Sequence, residues 1–430
     1  MRKFKATHKT LRENPKLDFI FNLILLYSGQ AIRFAGSFII TAILYRKYGL
    51  TSLGSYAVLI SVFSLLTSLM GWSISAFSVS LTISDVIKEE SIIRIWYLYA
   101  FISVVIVSIF GIANHVRAWH LLMFLLAIYM SMTSSPYLSI VLHRKSQSEK
   151  SLILFTESFT YTVSSIILIL KTNFVDAVLI SLIISTFSRR LLSQLFARKF
   201  RIFQILVAPA KTYIEDFKAL GKHINFGLNG ILNVINLQSN NILIKLISGD
   251  RAVGIYNVYW RIPNAISQLL WRIGESIFIY VSRAYSQNDG KAISRYVRKT
   301  ETLSLVASSA TALLYVLLAN KLAEIWLGKG AFIPHRIAII TSILIITTSL
   351  RRVYSSALYG MGKLSFTNII ILMDILAKAI AVLLWPYFGT FGFFAAWLIS
   401  SFAGAVVLKV VLQKEISRIL QSTSLKEQEV

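Results

Sequence analysis

Seven charged side chains stand inside long apolar runs of this 430-residue sequence: Arg33, Glu157, Arg261, Arg272, Glu275, Asp374 and Lys378. Asp374 and Lys378 are four residues apart, and Arg272 and Glu275 are three apart. On a helix each pair shares a face and can neutralise itself. Glu157 has no base at such a spacing, so its charge must reach an interface or a group on another helix. Arg33 and Arg261 have no acid at such a spacing either, and a guanidinium cannot give up its proton. Each must meet helix-end carbonyls, water or an anion, and a guanidinium grips phosphate oxygens through two parallel N–H bonds. Pro263 follows Arg261 by two residues and can bend its helix, freeing backbone groups that then need partners. Trp260 and Trp271 flank the position, either as packing or interface anchors or as a binding surface. A polar run, Gln238, Ser239, Asn240 and Asn241, can hydrogen-bond between helices or meet sugar hydroxyls.

Other chemistry is missing from the sequence. There is no cysteine, hence no thiolate nucleophile, disulfide or cysteine metal site. The 6 histidines are scattered, with no pair at metal-ligand spacing. No nucleophile–base arrangement and no cofactor motif is visible, so no catalytic residue, metal or cofactor is expected.

The elements that carry the seven charges follow from composition. The chain is 56% hydrophobic and 15% charged, with a mean hydropathy of +0.67; soluble domains average about 45–50% apolar and about 25% charged. The excess lies in runs of about twenty residues or more, the length that crosses about 30 Å of hydrocarbon. Twelve such runs extend from 19–44 through 224–248 and 252–282 to 389–412, which predicts an all-α polytopic membrane protein. The start, "MRKFKATHKTLRENPK", is basic, but the run after it is too long for a cleaved signal and contains Arg33; a retained first span is expected.

A net charge of +25 invites a nucleic-acid reading. The distribution argues against it. With the N-terminus inside, most of the 44 Lys and Arg fall on the inner connections, counting Arg189, Arg190, Arg351 and Arg352 there. Arg46, Lys47, Arg117, Lys171, Lys245, Arg251, Lys321, Lys329 and Arg336 fall outside. Such a bias orients a membrane protein and puts both termini in the cytoplasm.

The stretch "YGLTSLGSYAV" from Tyr48 returns as "SGDRAVGIYNV" from Ser248, so that Gly49, Gly54, Tyr56 and Val58 match Gly249, Gly254, Tyr256 and Val258. Residues 198–222 form a basic amphipathic linker containing Pro209, suited to a membrane surface. They divide the chain into an N-terminal six-helix bundle over 1–197 and a C-terminal bundle over 223–430. An even number of spans per half gives a parallel pseudo-repeat about an axis along the membrane normal. Arg261 breaks the repeat: the first copy has Ser61.

Taken in order, these stretches resemble a family. "LYRKYGLTSLGSYAV", "LISGDRAVGIYNVYWRIPNAI" and the closing "YFGTFGFFAAWLISS" are similar to the turn and last-span patterns of the polysaccharide-transport branch of the multidrug/oligosaccharidyl-lipid/polysaccharide flippase superfamily. Twelve spans resemble the Wzx-type O-antigen flippases more than the lipid II flippases, which usually carry fourteen. The resemblance implies a flippase in a bacterial cytoplasmic membrane that moves a polyprenyl-pyrophosphate-linked oligosaccharide, with membrane lipids and polysaccharide polymerase machinery as partners. It implies a pyrophosphate held by Arg33 and Arg261 with Arg272, and a glycan near Gln238, Asn240, Asn241 and Trp260. Coupling would run through Glu157, Glu275, Asp374 and Lys378, or through membrane potential alone. Many relatives carry an aspartate in span 7, where this chain reads "NLQSNNILIKLISG"; a strong cation ligand is therefore absent there. The rival readings are a multidrug antiporter, whose cationic substrates call for acids, and a membrane polymerase or ligase, which calls for a large outer loop that this sequence lacks.

Overall fold

The computed structural model describes residues 15–71, 89–113, 115–143, 147–197, 209–221 and 224–428. The basic start, the end of the second apolar run and most of the linker's first half lie outside the described residues. Every regular element among those described is an α-helix. In chain order these are α1 (Pro15–Gly71), α2 (Glu89–Ala113), α3 (Ala118–His143), α4 (Gln147–Lys171) and α5 (Phe174–Ala197). The linker contributes α6 (Ala210–Gly221). Then come α7 (Ile224–Ser286), α8 (Gly290–Leu327), α9 (His335–Gly360), α10 (Leu364–Leu383) and α11 (Trp385–Gln428).

α1 and α7 are each two helical arms joined at a glycine, Gly49 (φ 79°, ψ −176°) and Gly249 (φ 76°, ψ 177°). Left-handed φ with extended ψ is open to glycine and strained for other residues, which is why the sequence repeats this residue. With both arms counted, six long segments precede α6 and six follow it among the described residues. By length and hydropathy alone, eight helices among the described residues can cross a membrane. α5 and α7 are not among them; α5 carries Arg189 and Arg190, and α7 carries the polar stretch around Asn236–Asn241. α8 begins eleven residues before its apolar run at 301, because a basic amphipathic turn extends it.

The repeat is also visible in packing. Residues 51–60 and 251–260 have the same burial pattern position by position. A Cβ placed on Gly54 would strike the carbonyl oxygen of Asp250, and one placed on Gly254 would strike that of Leu50, the position equivalent to Asp250. The two turns thus meet reciprocally, backbone against backbone. Gly54→Ala and Gly254→Ala should each lower the unfolding temperature in detergent, by an amount corresponding to about 1–3 kcal/mol of overpacking, and Ser55→Ala beside them should change it little.

The chain forms two compact units, residues 1–47 with 62–231, and residues 48–61 with 232–430. In the first, Ile93, Tyr97, Tyr137, Val141 and Ile153 form a buried core among α2, α3 and α4, with Ala197 of α5. The first arm of α1 lies close on α4: a Cβ on Gly36 would collide with the Thr162 side chain, the use of small residues that brings membrane helices together. Lys47 Nζ donates to the carbonyls of Ile169 and Leu170, each at 3.1 Å, at the end of α4, where the helix dipole favours a cation. In the second unit, α7, α8, α9, α10 and α11 enclose a core that includes Ile277, Val281, Ile293, Val353, Leu358, Ile370 and Leu408.

Candidate functional site

Among the described residues, the second unit holds the most deeply buried charges. Asp374 and Lys378 of α10 are each 1% exposed. Their spacing suggests a self-neutralising pair, but the two side chains have other partners. Asp374 accepts from Arg351 of α9 and from the Ser400 hydroxyl of α11, and from Asn236 Nδ2 of α7 at 3.5 Å. Lys378 Nζ donates to the backbone carbonyl of Asn236 at 3.0 Å and to its Oδ1 at 2.7 Å, and lies 3.9 Å from the centroid of the Trp397 ring. Four helices thus converge on one polar knot with two cations and one acid. The i,i+4 pairing gives way because burial demands hydrogen bonds in all directions, and only neighbouring helices supply them.

Trp397 continues the knot into an aromatic cluster. Trp260 packs on Trp397 at 4.4 Å and on Phe394 at 5.9 Å, and Tyr256 packs on Phe393 and Phe394 at 5.3 and 5.7 Å. Trp260 is therefore a wall of this cluster. Asn240 is 2% exposed and donates to the Tyr256 hydroxyl at 3.3 Å. Asn241 donates to Ser61 Oγ at 2.8 Å and accepts from Asn257 at 2.9 Å. The polar run serves as hydrogen bonds between helices at these two positions; Gln238 is half-buried. Ser61, which stands where the second copy has Arg261, is thus engaged by Asn241, which precedes the second copy.

Arg261 is half-buried on α7. Arg272 and Glu275 pair as expected, at 2.7 Å, and Glu275 also takes Arg352 of α9 at 2.5 Å, whose guanidinium lies 5.9 Å from the Trp271 ring centre. In the first unit Arg33 is exposed on α1. Glu157 accepts from Arg189 of α5 at 3.2 Å, and Arg189 also donates to Ser135. Its neighbour Arg190 donates to Thr133 Oγ1 at 2.6 Å and to the Tyr97 hydroxyl at 3.2 Å, with its guanidinium 5.3 Å from the centre of the Tyr129 ring. Tyr97 in turn shares a hydrogen bond with Tyr137 at 3.2 Å.

Arg189 and Arg190 lie within α5 and Arg351 and Arg352 within α9, where they face acids, hydroxyls and rings. Their signal in the sequence is "FSRRLLSQ" and "TSLRRVYSS", two double arginines with no glycine or proline to break the helix on either side. Of the residues singled out by sequence, the fold brings together Asn240 with Tyr256, Arg272 with Glu275, and Asp374 and Lys378 around Asn236. Arg33 and Glu157 belong to the first unit, and the rest to the second.

Comparison with known proteins agrees with this architecture. The MatE family model matches residues 228–385. Among curated proteins none matches the sequence. An inward-facing multidrug resistance MATE family transporter of the MOP superfamily aligns with a TM-score of 0.67 at 12% identity, over 92% of this chain and 99% of its own. The lipid II flippase MurJ, in an inward closed conformation, aligns with a TM-score of 0.70 at 13% identity, over 92% and 90%. A MOP superfamily transporter from Pyrococcus furiosus, described as having a binding pocket of reversed polarity, aligns with a TM-score of 0.59 at 12% identity, over 94% and 96%. At such identities the likeness establishes the fold, that of MOP superfamily transporters and flippases, and the protein is a multi-pass membrane protein of this architecture.

Proposed function

We propose that this protein is a flippase that moves a polyprenyl-pyrophosphate-linked oligosaccharide, such as an O-antigen repeat unit, across the bacterial cytoplasmic membrane by alternating access. The observation that carries this reading is the sign of the charge held within the long helices. Arg351 and Lys378 surround the single acid Asp374, Arg272 and Arg352 surround the single acid Glu275, and Arg190 hydrogen-bonds to neutral groups. A charge inside a membrane costs at least about 2.5–3.5 kcal/mol even on the lower scales, so an excess of cations is kept where an anion uses it. A pyrophosphate is such an anion. Arg261 is the guanidinium we assign to it, with Arg272 beside Glu275 as a further contributor, and Arg33 of the first unit is a separate cationic candidate tested by itself. Gln238 and the Asn240–Asn241 pair, with the Trp260 wall, are the groups we assign to the glycan side of the substrate. Both termini are taken to be cytoplasmic, and polymerase machinery would receive the translocated unit.

A multidrug antiporter is the second reading, favoured by the MatE match over 228–385 and by the MATE transporter fold. It requires acids available to a cation, and Glu157, Glu275 and Asp374 are each engaged by arginine. The two readings separate in cells that lack their own O-antigen flippase. Expression should restore surface glycan and leave resistance to cationic drugs unchanged; drug resistance without glycan would favour the antiporter.

Coupling is a separate expectation. If protons drive the cycle, they exchange at Glu157, Glu275 or Asp374, since α7 offers Asn236 and Asn240 and no acid near that depth. Glu157→Gln, Glu275→Gln or Asp374→Asn should then flatten the dependence of transport on a pH gradient. All three variants transporting with the wild-type pH profile would leave membrane potential acting on an anionic substrate as the driving force.

A further inference from the structure

α8 enters the second unit through a cationic stripe. The Asp289 side chain accepts the Ala292 N–H at 2.8 Å and caps the helix. The first turns then present Lys291, Arg295, Arg298 and Lys299, all exposed and, at helical spacing, on one face. The same face continues as Thr302, Leu303 and Val306, so it changes from cationic to apolar within roughly 18 Å, at 1.5 Å per residue. Along it runs a cavity of about 860 Å³, closed on the other side by Leu420 of α11.

The acids in this region are committed elsewhere. Glu301 accepts from the Tyr354 hydroxyl at 2.8 Å and from Lys409 at 2.7 Å, and Glu415 takes Lys363 at 3.3 Å and Arg418 at 2.9 Å. Among the described residues none of the four stripe cations forms an ion pair with an acid. Uncompensated cations beside an apolar channel, where a helix passes into hydrocarbon, are the recognition chemistry for an amphiphile with an anionic head.

We propose that this groove binds an anionic glycerophospholipid of the adjoining leaflet, its phosphates among Lys291, Arg295, Arg298 and Lys299 and an acyl chain along Leu303, Val306 and Leu420. The four cations extend over roughly 12 Å of helix. That spread suits two phosphodiesters separated by a glycerol, as in diphosphatidylglycerol, better than the adjacent phosphates of a pyrophosphate. The site is a lipid site distinct from the translocated substrate and does not depend on what the protein transports.

The test uses the full chain in phosphatidylcholine nanodiscs, with binding of added diphosphatidylglycerol, extra phosphatidylcholine or polyprenyl pyrophosphate read by native mass spectrometry. Diphosphatidylglycerol should bind most tightly. The combined Lys291→Gln, Arg295→Gln, Arg298→Gln and Lys299→Gln variant should weaken it roughly 1,000-fold, as expected for four basic residues near an anionic headgroup, and Leu303→Gln with Val306→Gln should weaken it less. The unfolding temperature of the fourfold variant in pure phosphatidylcholine should match the wild type, because among the described residues these cations have no acid partner. Undiminished diphosphatidylglycerol binding in that variant, tighter binding of polyprenyl pyrophosphate through the same four residues, or a loss of stability without any anionic lipid would each overturn the proposal.

Discussion

Asp374→Ala should destabilise the second unit more than any other single exchange considered for it, by about 3–5 kcal/mol, the usual cost of stranding a buried charge. The carboxylate is 1% exposed and is the acid that faces both Arg351 and, across the knot, Lys378. Its loss leaves two cations in the interior together with the Ser400 hydroxyl and the Asn236 amide that had been oriented by it. Lys378→Met should cost less. It removes one of the two cations, keeps the stem volume under Trp397, and leaves only the Asn236 carbonyl oxygens without their donor, a penalty of about 1–3 kcal/mol. Adding Arg351→Met to Asp374→Ala should recover part of the loss, because the stranded guanidinium goes with its partner. Thermal unfolding of the variants in one detergent checks the ranking. An Asp374→Ala protein as stable as the wild type would mean that water reaches the knot.

Arg261→Ala should abolish surface-glycan export while the protein remains inserted and folded. The residue is half-buried on α7 and stands where the first copy of the repeat has the buried Ser61, so the two halves differ in charge at equivalent positions. Arg261→Lys should restore export only in part, because an ammonium keeps the charge and loses the planar fork. Arg33→Ala should act in the same direction and more weakly, since Arg33 is exposed. A purely structural arginine predicts the reverse pattern, with low membrane abundance and normal export per molecule. Abundance and surface glycan measured in the same cells separate the two.

Much of the architecture is legible in the residues because the membrane restricts the choices. Twelve apolar runs, an amphipathic linker and a glycine at 49 and again at 249 lead to helices broken at those glycines. The mutual contact of Gly54 with Asp250 and of Gly254 with Leu50 explains why those glycines recur. The site was less legible, for two physical reasons. Hydropathy shows a basic pair near the end of an apolar run but not the groups on neighbouring helices that satisfy it, as at Arg189–Arg190 and Arg351–Arg352. Spacing along one helix shows which charges can pair, whereas burial selects partners across helices. Arg272 and Glu275, partly exposed, keep their local pair; Asp374 and Lys378, fully buried, exchange it for Arg351, Ser400, Asn236 and the face of Trp397. Asn236 opens the polar stretch "NLQSNNILIKLISG", but nothing in the sequence separates it from the polar residues after it, because its role is set by its backbone carbonyl as much as by its side chain.

On the function we propose, the cationic excess within the helices serves an anionic, lipid-linked glycan. The most direct measurement reconstitutes the purified protein in liposomes with a polyprenyl-pyrophosphate-linked oligosaccharide in the inner leaflet and follows the arrival of glycan at the outer surface with an impermeant glycosidase. The wild-type protein should make the glycan accessible well above protein-free vesicles, and Arg261→Ala should reduce it to that background. Wild-type vesicles indistinguishable from protein-free ones, under an imposed potential and a pH gradient alike, would rule out this function.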